Sequence, residues 1–208
     1  MKHTSHTVVD WTAYLTHAEV DTLQDLARSL PDDAIVVNIG AGNGTSGLAF
    51  MEAREDLRLF TIDIQKESSP FGCLEGEEAV FKSAGFWGDP RHTQIHGDSK
   101  IVDWPHGLAD LVFVDGGHQY HEAAGDINVW LPRIKPGGLM AVHDFEKKAK
   151  VWIGVDKAVR ELLLGQYETV VQVDTLIVFR VPEKAAEKPT PPLKPLPGKP
   201  GRPRKVVK

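Results

Sequence analysis

Apolar residues along this chain follow two periods, and the switches between them outline an architecture. The stretch "THAEVDTLQDLARSL", residues 16–30, opens with a capping box, Thr16 and Glu19, and then sets Val20, Leu23, Leu26, Ala27 and Leu30 along one helical face. That spacing predicts an amphipathic helix. Pro31, Asp32 and Asp33 break it, and "AIVVNIG" follows as a short unbroken apolar run of the kind a strand buried on both faces requires. Glycines lead into "TSGLAFMEARE", a helical pattern, and then into "LRLFTIDI", a second buried strand. Strand, helix and strand within about 30 residues predict a right-handed parallel unit.

The alternation continues. "TQIHGDS" predicts a short third strand and "ADLVFVDGG" a fourth, after which Ala123, Ala124, Ile127, Trp130 and Leu131 form the apolar face of a helix stopped at Pro132. "GGLMAVHDF" predicts a fifth strand, residues 151–164 a helix closed by Gly165, and "ETVVQVDTLIVFRV" two strands joined by a tight turn at Asp174. Strands alternating with helices and ending in a hairpin predict an α/β sandwich, mostly parallel, with an antiparallel pair at its edge. Between Ile64 and Thr93 lies a segment carrying Phe71, Phe81, Phe86 and Trp87 among turn residues. It can be read as a wall of an acceptor pocket or as the ordinary second crossover helix.

Composition bounds the function. With 208 residues and 41% hydrophobic content, the chain has enough apolar material for one sizeable core. No apolar run approaches the ~20 residues that span a bilayer, and "MKHTSHTVVDWT" lacks the apolar middle of a signal peptide, so a soluble, cytoplasmic protein without membrane partners is expected. The lone Cys73 excludes an internal disulfide and a cysteine-rich zinc site. Residues 182–208 hold eight basic and two acidic residues; the whole chain's −5 and the tail's +6 leave −11 on residues 1–181. Such an acidic body repels phosphate backbones, so any contact with nucleic acid falls to the tail. Eight prolines and little apolar material predict that this tail is disordered. The expected division is an N-terminal segment, 1–15, a folded domain, 16–181, and the basic proline-rich tail, 182–208.

Glycines in the first strand-to-helix turn of a parallel sheet let backbone amides approach a ligand, and Gly40, Gly42 and Gly44 occupy that turn. Asp63 ends the second strand, where a carboxylate can accept from both ribose hydroxyls of an adenosine. Together they predict a nucleoside-bearing cofactor. The plainer alternative is a tight turn and a helix cap. Because "GNGTSG" also satisfies the dinucleotide pattern, spacing alone leaves NAD and S-adenosylmethionine both open.

Four segments together resemble the class I S-adenosylmethionine-dependent methyltransferases: "VVNIGAGNG" is similar to their first motif, "FTIDI" to their ribose strand, "HGDS" to their adenine-side turn and "PRIKPGGLMAVHD" to the entry to their fifth strand. The likeness covers about residues 18–181, and "ADLVFVDGGHQYHEAAGDINVWLPRIKPGGLMAVHDF" resembles the small O-methyltransferase branch of macrocin-type and cephalosporin-biosynthesis enzymes. The resemblance implies a Rossmann-like three-layer α/β sandwich with a mostly parallel seven-stranded sheet and an antiparallel last strand. It further implies that Gly40 and Gly42 face the methionine end of the cofactor, with Asn38 where the family has an acid, and that Asp63 meets the ribose and Asp98 with Ser99 the adenine. Gly44 and Asp115 would border the same ligand.

The fourth and fifth strands, neighbours by the same resemblance, end in Asp115 and Asp144, and carboxylates on adjacent strands about 4.8 Å apart call for a cation, a shared proton or N–H donors. In the resembling branch the positions of Asp115, His143 and Asp144 bind a magnesium-like ion, but imidazole suits zinc, iron or nickel better. Alternatively Asp144 caps a helix and His143 is a core histidine. His118 stands where the resemblance implies a general base, and a histidine titrates near neutral pH; the plainer alternative makes it the start of a helix. The reading is metal-assisted methyl transfer from S-adenosylmethionine to a hydroxyl of a small molecule or sugar. An NAD-dependent oxidoreductase and a non-catalytic cofactor-binding module with a nucleic-acid-binding tail stand as rivals, and the oligomeric state is open.

Overall fold

The structure is a computed structural model that describes residues 4–12, 14–67, 73–146 and 153–183. Seven strands, β1 (Ile35–Ile39), β2 (Arg58–Asp63), β3 (His92–His96), β4 (Ala109–Val114), β5 (Ile134–Val142), β6 (Glu168–Val173) and β7 (Leu176–Arg180), form one sheet in the order β3-β2-β1-β4-β5-β7-β6. The first five are mutually parallel, while β7 inserts between β5 and β6 and runs antiparallel to both. The expected α/β sheet with an antiparallel last strand is present. Left-handed Asp174 (φ 48°) makes the tight turn that joins β6 to β7.

Every residue of β1 and β4 is buried, as their unbroken apolar runs require. Successive side chains alternate between two cores. One core takes Val36, Leu111, Phe113 and Leu139 and is covered by α2 (His17–Ser29), α3 (Thr45–Ala53) and α4 (Leu74–Ala84). The other takes Val37, Val112, Met140 and Val142 and is covered by α5 (Tyr120–Trp130) and α6 (Ile153–Leu162). Three layers result.

The Thr16–Glu19 capping box forms as the sequence predicts, with helix α2 starting at His17. The Ile64–Thr93 segment contributes α4, whose Phe81 is fully buried in the first core, while Trp87 is exposed and Phe71 lies outside the described residues. Residues 1–15 include a helix that the sequence pattern did not announce, α1 (Ser5–Thr12). It buries Val8 and Val9 in the first core, and Glu52 of α3 accepts from the Ser5 amide and hydroxyl at its start. Residues 184–208 of the tail lie outside the described residues. No helix among the described residues is long and apolar enough to cross a membrane.

Phe113 sits mid-sheet, fully buried, edge-on to Phe50 of α3 with ring centroids 6.2 Å apart. Phe113→Ala is expected to cost about 3–5 kcal/mol, the range for emptying an aromatic site in a close-packed core, read as a lower urea midpoint at unchanged slope.

Candidate active site

Strands β1, β2, β4 and β5 end level with one another. The Gly40 amide donates to the Ile62 carbonyl, the Asp115 amide to Ile39 and the His143 amide to Val114, so the turns leaving these strands lie side by side at the carboxyl edge of the sheet. Ligands of open α/β sheets bind beyond this edge. Gly40 adopts φ +92°, and a Cβ there would stand 2.1 Å from the Asp115 carbonyl oxygen, so only glycine brings the first turn this close to the end of β4. Asp63 fastens the same turn: Oδ2 accepts from the Ala41 amide at 2.7 Å and Oδ1 from the Gln65 amide at 2.7 Å. Burial raises its pKa, and those two amides pull the other way.

Above these turns opens a cavity of about 600 Å³. Gly40, Gly42, Asp63, Asp98, Ser99 and Asp115 all line it. So do His118, His143 and Asp144, at the end nearer β5. Asn38 and Gly44 do not. Asn38 is fully buried beneath the turn, its Oδ1 accepting from the Ser46 hydroxyl at 3.2 Å, and Gly44 caps α3 against Glu77.

At the β3 end, Asp98 pairs with Lys100 (Nζ–Oδ1 2.7 Å), which lowers its pKa. The Ser99 hydroxyl donates to Asp126 of α5, a buried carboxylate whose pKa burial raises. Ile64, 61% exposed, forms an apolar lip beside Asp63.

At the β5 end, His143 is held between carboxylates. Its Nδ1 lies 3.0 Å from Asp115 Oδ1, and its Nε2 lies 3.4 Å from Glu19 Oε2 and 3.2 Å from the Thr175 hydroxyl. Burial alone would lower the imidazole's pKa, but the charge and hydrogen bond of Asp115, with Glu19 and Asp144 behind them, lift it to about 10. Burial likewise would raise Glu19, yet His143, the Thr16 amide and Thr175 bring it to about 2. A protonated imidazole thus bridges α2, β4 and the β6–β7 hairpin. His118 takes the remaining aspartate, with Nε2 2.8 Å from Asp144 Oδ2.

The methyltransferase domain family (Methyltransf_24) matches residues 37–145, just over half of the 208 residues, from β1 through the end of β5. The chain belongs to this methyltransferase family. Uncharacterized protein R132 of Acanthamoeba polyphaga mimivirus is 26% identical over 170 residues, covering 73% of this chain and 71% of its own. Among solved structures, the O-methyltransferase TomG of Streptomyces achromogenes, involved in tomaymycin synthesis and seen in complex with S-adenosylmethionine, superposes with a TM-score of 0.62 at 22% identity over 86% of each chain. CalS11, a TDP-rhamnose 3'-O-methyltransferase of calicheamicin biosynthesis, gives 0.58 at 16% identity over 78% of this chain and 77% of its own. At these identities the structures establish a shared fold, the Rossmann-like class I methyltransferase fold.

A methyl-donor cofactor fits the polar groups of this methyltransferase. Beyond the Gly40 approach, Thr45 at the start of α3 lines the cavity, and its Oγ1 is buried without a hydrogen-bond partner among the described residues. His143, expected from the sequence as a cation ligand beside Asp115 and Asp144, has Nδ1 3.0 Å from Asp115 Oδ1 and Nε2 3.4 Å from Glu19 Oε2. The group that converges is instead Asp115, His118 and Asp144, one ligand atom from each lying within 4.8 Å of the others.

Sequence reasoning missed Glu19, Ile64, Lys100 and Asp126, and it missed that Tyr14 and Leu15 also line the cavity. Asp126 left a signal, since it lies among the apolar face positions 123, 127 and 130 of its helix. Glu19 left none beyond its cap, because its second role depends on contacts with β5 and the hairpin.

His143 binds its extra proton only when folded, so its stabilising contribution is full below pH 6.5 and is lost as pH rises through about 10. Glu19 contributes fully above pH 4.5 and loses its contribution as pH falls through about 2. Urea titrations from pH 6 to 10 are expected to show falling stability in the natural protein. His143→Gln should lose about 3–5 kcal/mol at pH 6, leaving two carboxylates without their cation, and should lack the alkaline decline.

Proposed function

We propose that the protein is an S-adenosylmethionine-dependent O-methyltransferase acting on a hydroxyl of a small molecule or sugar. The observation that carries this reading is that one cavity runs from the Gly40 turn and Asp63 to the His118–Asp144 pair. Residues 16–181 would carry the reaction, and the basic residues 182–208 would be an appendage to which any nucleic-acid contact falls. The activities of TomG and CalS11, both O-methyltransferases, support a hydroxyl acceptor.

In this reading the Gly40–Gly42 turn receives the methionine end, Asp63 accepts from the ribose hydroxyls, Ile64 covers one face of the adenine, and Asp98 with Ser99 meets its edge. When bound there, the cofactor would supply an electrophilic sulfonium methyl for transfer to the acceptor oxygen. His118 takes the hydroxyl proton. The imidazolium so formed donates from Nε2 to Asp144, whose charge stabilises it and fixes the ring, the role an aspartate plays behind a catalytic histidine. His143, already protonated, sets a fixed positive charge beside Asp115 and keeps that carboxylate's demand for a cation satisfied.

A second reading follows from the convergence of Asp115, His118 and Asp144: a divalent cation held there would lower the hydroxyl's pKa, with His118 as a ligand in place of a base. Calorimetry should show S-adenosylhomocysteine binding and NAD not binding; the reverse preference would end the methyltransferase reading. With labelled methyl donor and a metabolite extract, His118→Ala is expected to lower methyl incorporation by about 10²–10⁴-fold while leaving cofactor affinity within a few-fold. Protein verified free of metal decides between the readings: full turnover supports the base, and loss restored by manganese or zinc supports the cation.

A further inference from the structure

The first turn of α6 presses on the backbone that carries His118. A Cβ on Gly154 would stand 2.3 Å from the Tyr120 amide nitrogen, 2.4 Å from the His118 carbonyl oxygen and 2.5 Å from the Gln119 carbonyl carbon. All three are backbone atoms, so no side-chain rotation relieves the contact. The same helix holds Tyr120 twice more, through Glu161 Oε2, which accepts from the Tyr120 hydroxyl at 2.6 Å, and through Lys157 Nζ, 4.5 Å from the centre of the Tyr120 ring. It also reaches the other partner's strand end: the Arg160 guanidinium lies 5.1 Å from the Phe145 ring and pairs with Glu146, one and two residues beyond Asp144. One helix therefore grips both segments that supply the His118–Asp144 pair.

We propose that α6 is the clamp that sets the separation of His118 and Asp144, and that Gly154 is its positioning residue. Gly154 does not line the cavity. It acts through the backbone: without a side chain, the helix start can sit against residues 118–120 and hold the imidazole within hydrogen-bond distance of Asp144. Alanine is the better helix former, so in the absence of this contact Gly154→Ala would stabilise α6. The clamp predicts the opposite, a displaced 118–120 segment. The functional consequence rests on the reading of His118 as the base.

The test is long-range ¹H–¹⁵N spectroscopy of the full chain labelled at histidine, with the His118 signals assigned by their loss in His118→Gln. Asp144→Asn defines the direction in which those signals move when the pair is broken. Gly154→Ala should move the His118 signals in that direction by more than a line width, leave those of His6, His17 and His92 in place, and keep the dissociation constant for S-adenosylhomocysteine within twofold. His118 signals coincident with the natural protein's would overturn the proposal. If circular dichroism shows that Gly154→Ala does not fold, Tyr120→Phe decides: it removes only the bond to Glu161, and a smaller shift in the same direction supports the clamp, whereas no shift overturns it. Full turnover in His118→Ala would end the reading of His118 as base and leave the clamp standing.

Discussion

The close approach of Gly40 to the Asp115 carbonyl, which leaves no room for a side chain, is the constraint on which the site depends. It brings the first strand's turn to the end of the fourth strand, and the cavity floor is the seam between them. Asp63 then ties the turn from the other side through the Ala41 amide, so the turn is fixed between β2 and β4 before any ligand arrives. Preorganised amides of this kind are what a parallel sheet offers a nucleotide-like ligand. The His118–Asp144 pair lies along the same edge, one strand further on.

Electrostatics at that edge are arranged in pairs. Three carboxylates, Glu19, Asp115 and Asp144, meet two imidazoles, and each aspartate lies within hydrogen-bond reach of one. The two histidines differ in surroundings: His143 is 3% exposed and fixed by three elements, whereas His118 is partly open to the cavity. His143 lies between Glu19 and Asp115, whereas His118 faces the cavity beside Asp144 with Asp115 converging on the same point, so two residues that look alike in the sequence stand in different surroundings.

The fold was legible because its strands are buried on both faces and read as unbroken apolar runs, with Gly40 and Asp63 at strand ends where ligands bind. Helix α1 was not, since Val8 and Val9 are too few to show a period and their burial depends on α2 and α3. Of the residues the sequence singled out, Gly40, Gly42, Asp63, Asp98, Ser99, Asp115, His118, His143 and Asp144 line one cavity. The sequence could not tell that Asn38 is fully buried outside the cavity lining, or that His143 meets Glu19, because Glu19 is 124 residues distant and already explained as a cap. Contacts made across the sheet edge by residues with a sufficient local role leave no trace in local pattern.

We propose that the side chain missing at Gly40 makes the room in which a methyl-donor cofactor sits. Isothermal titration of S-adenosylhomocysteine into the natural protein and into Gly40→Ala, with folding of both checked by circular dichroism, tests it most directly. The account predicts one site per chain in the natural protein and at least a hundredfold weaker binding in a folded Gly40→Ala, about 2.7 kcal/mol at 25 °C. Equal affinity in the two proteins would contradict it.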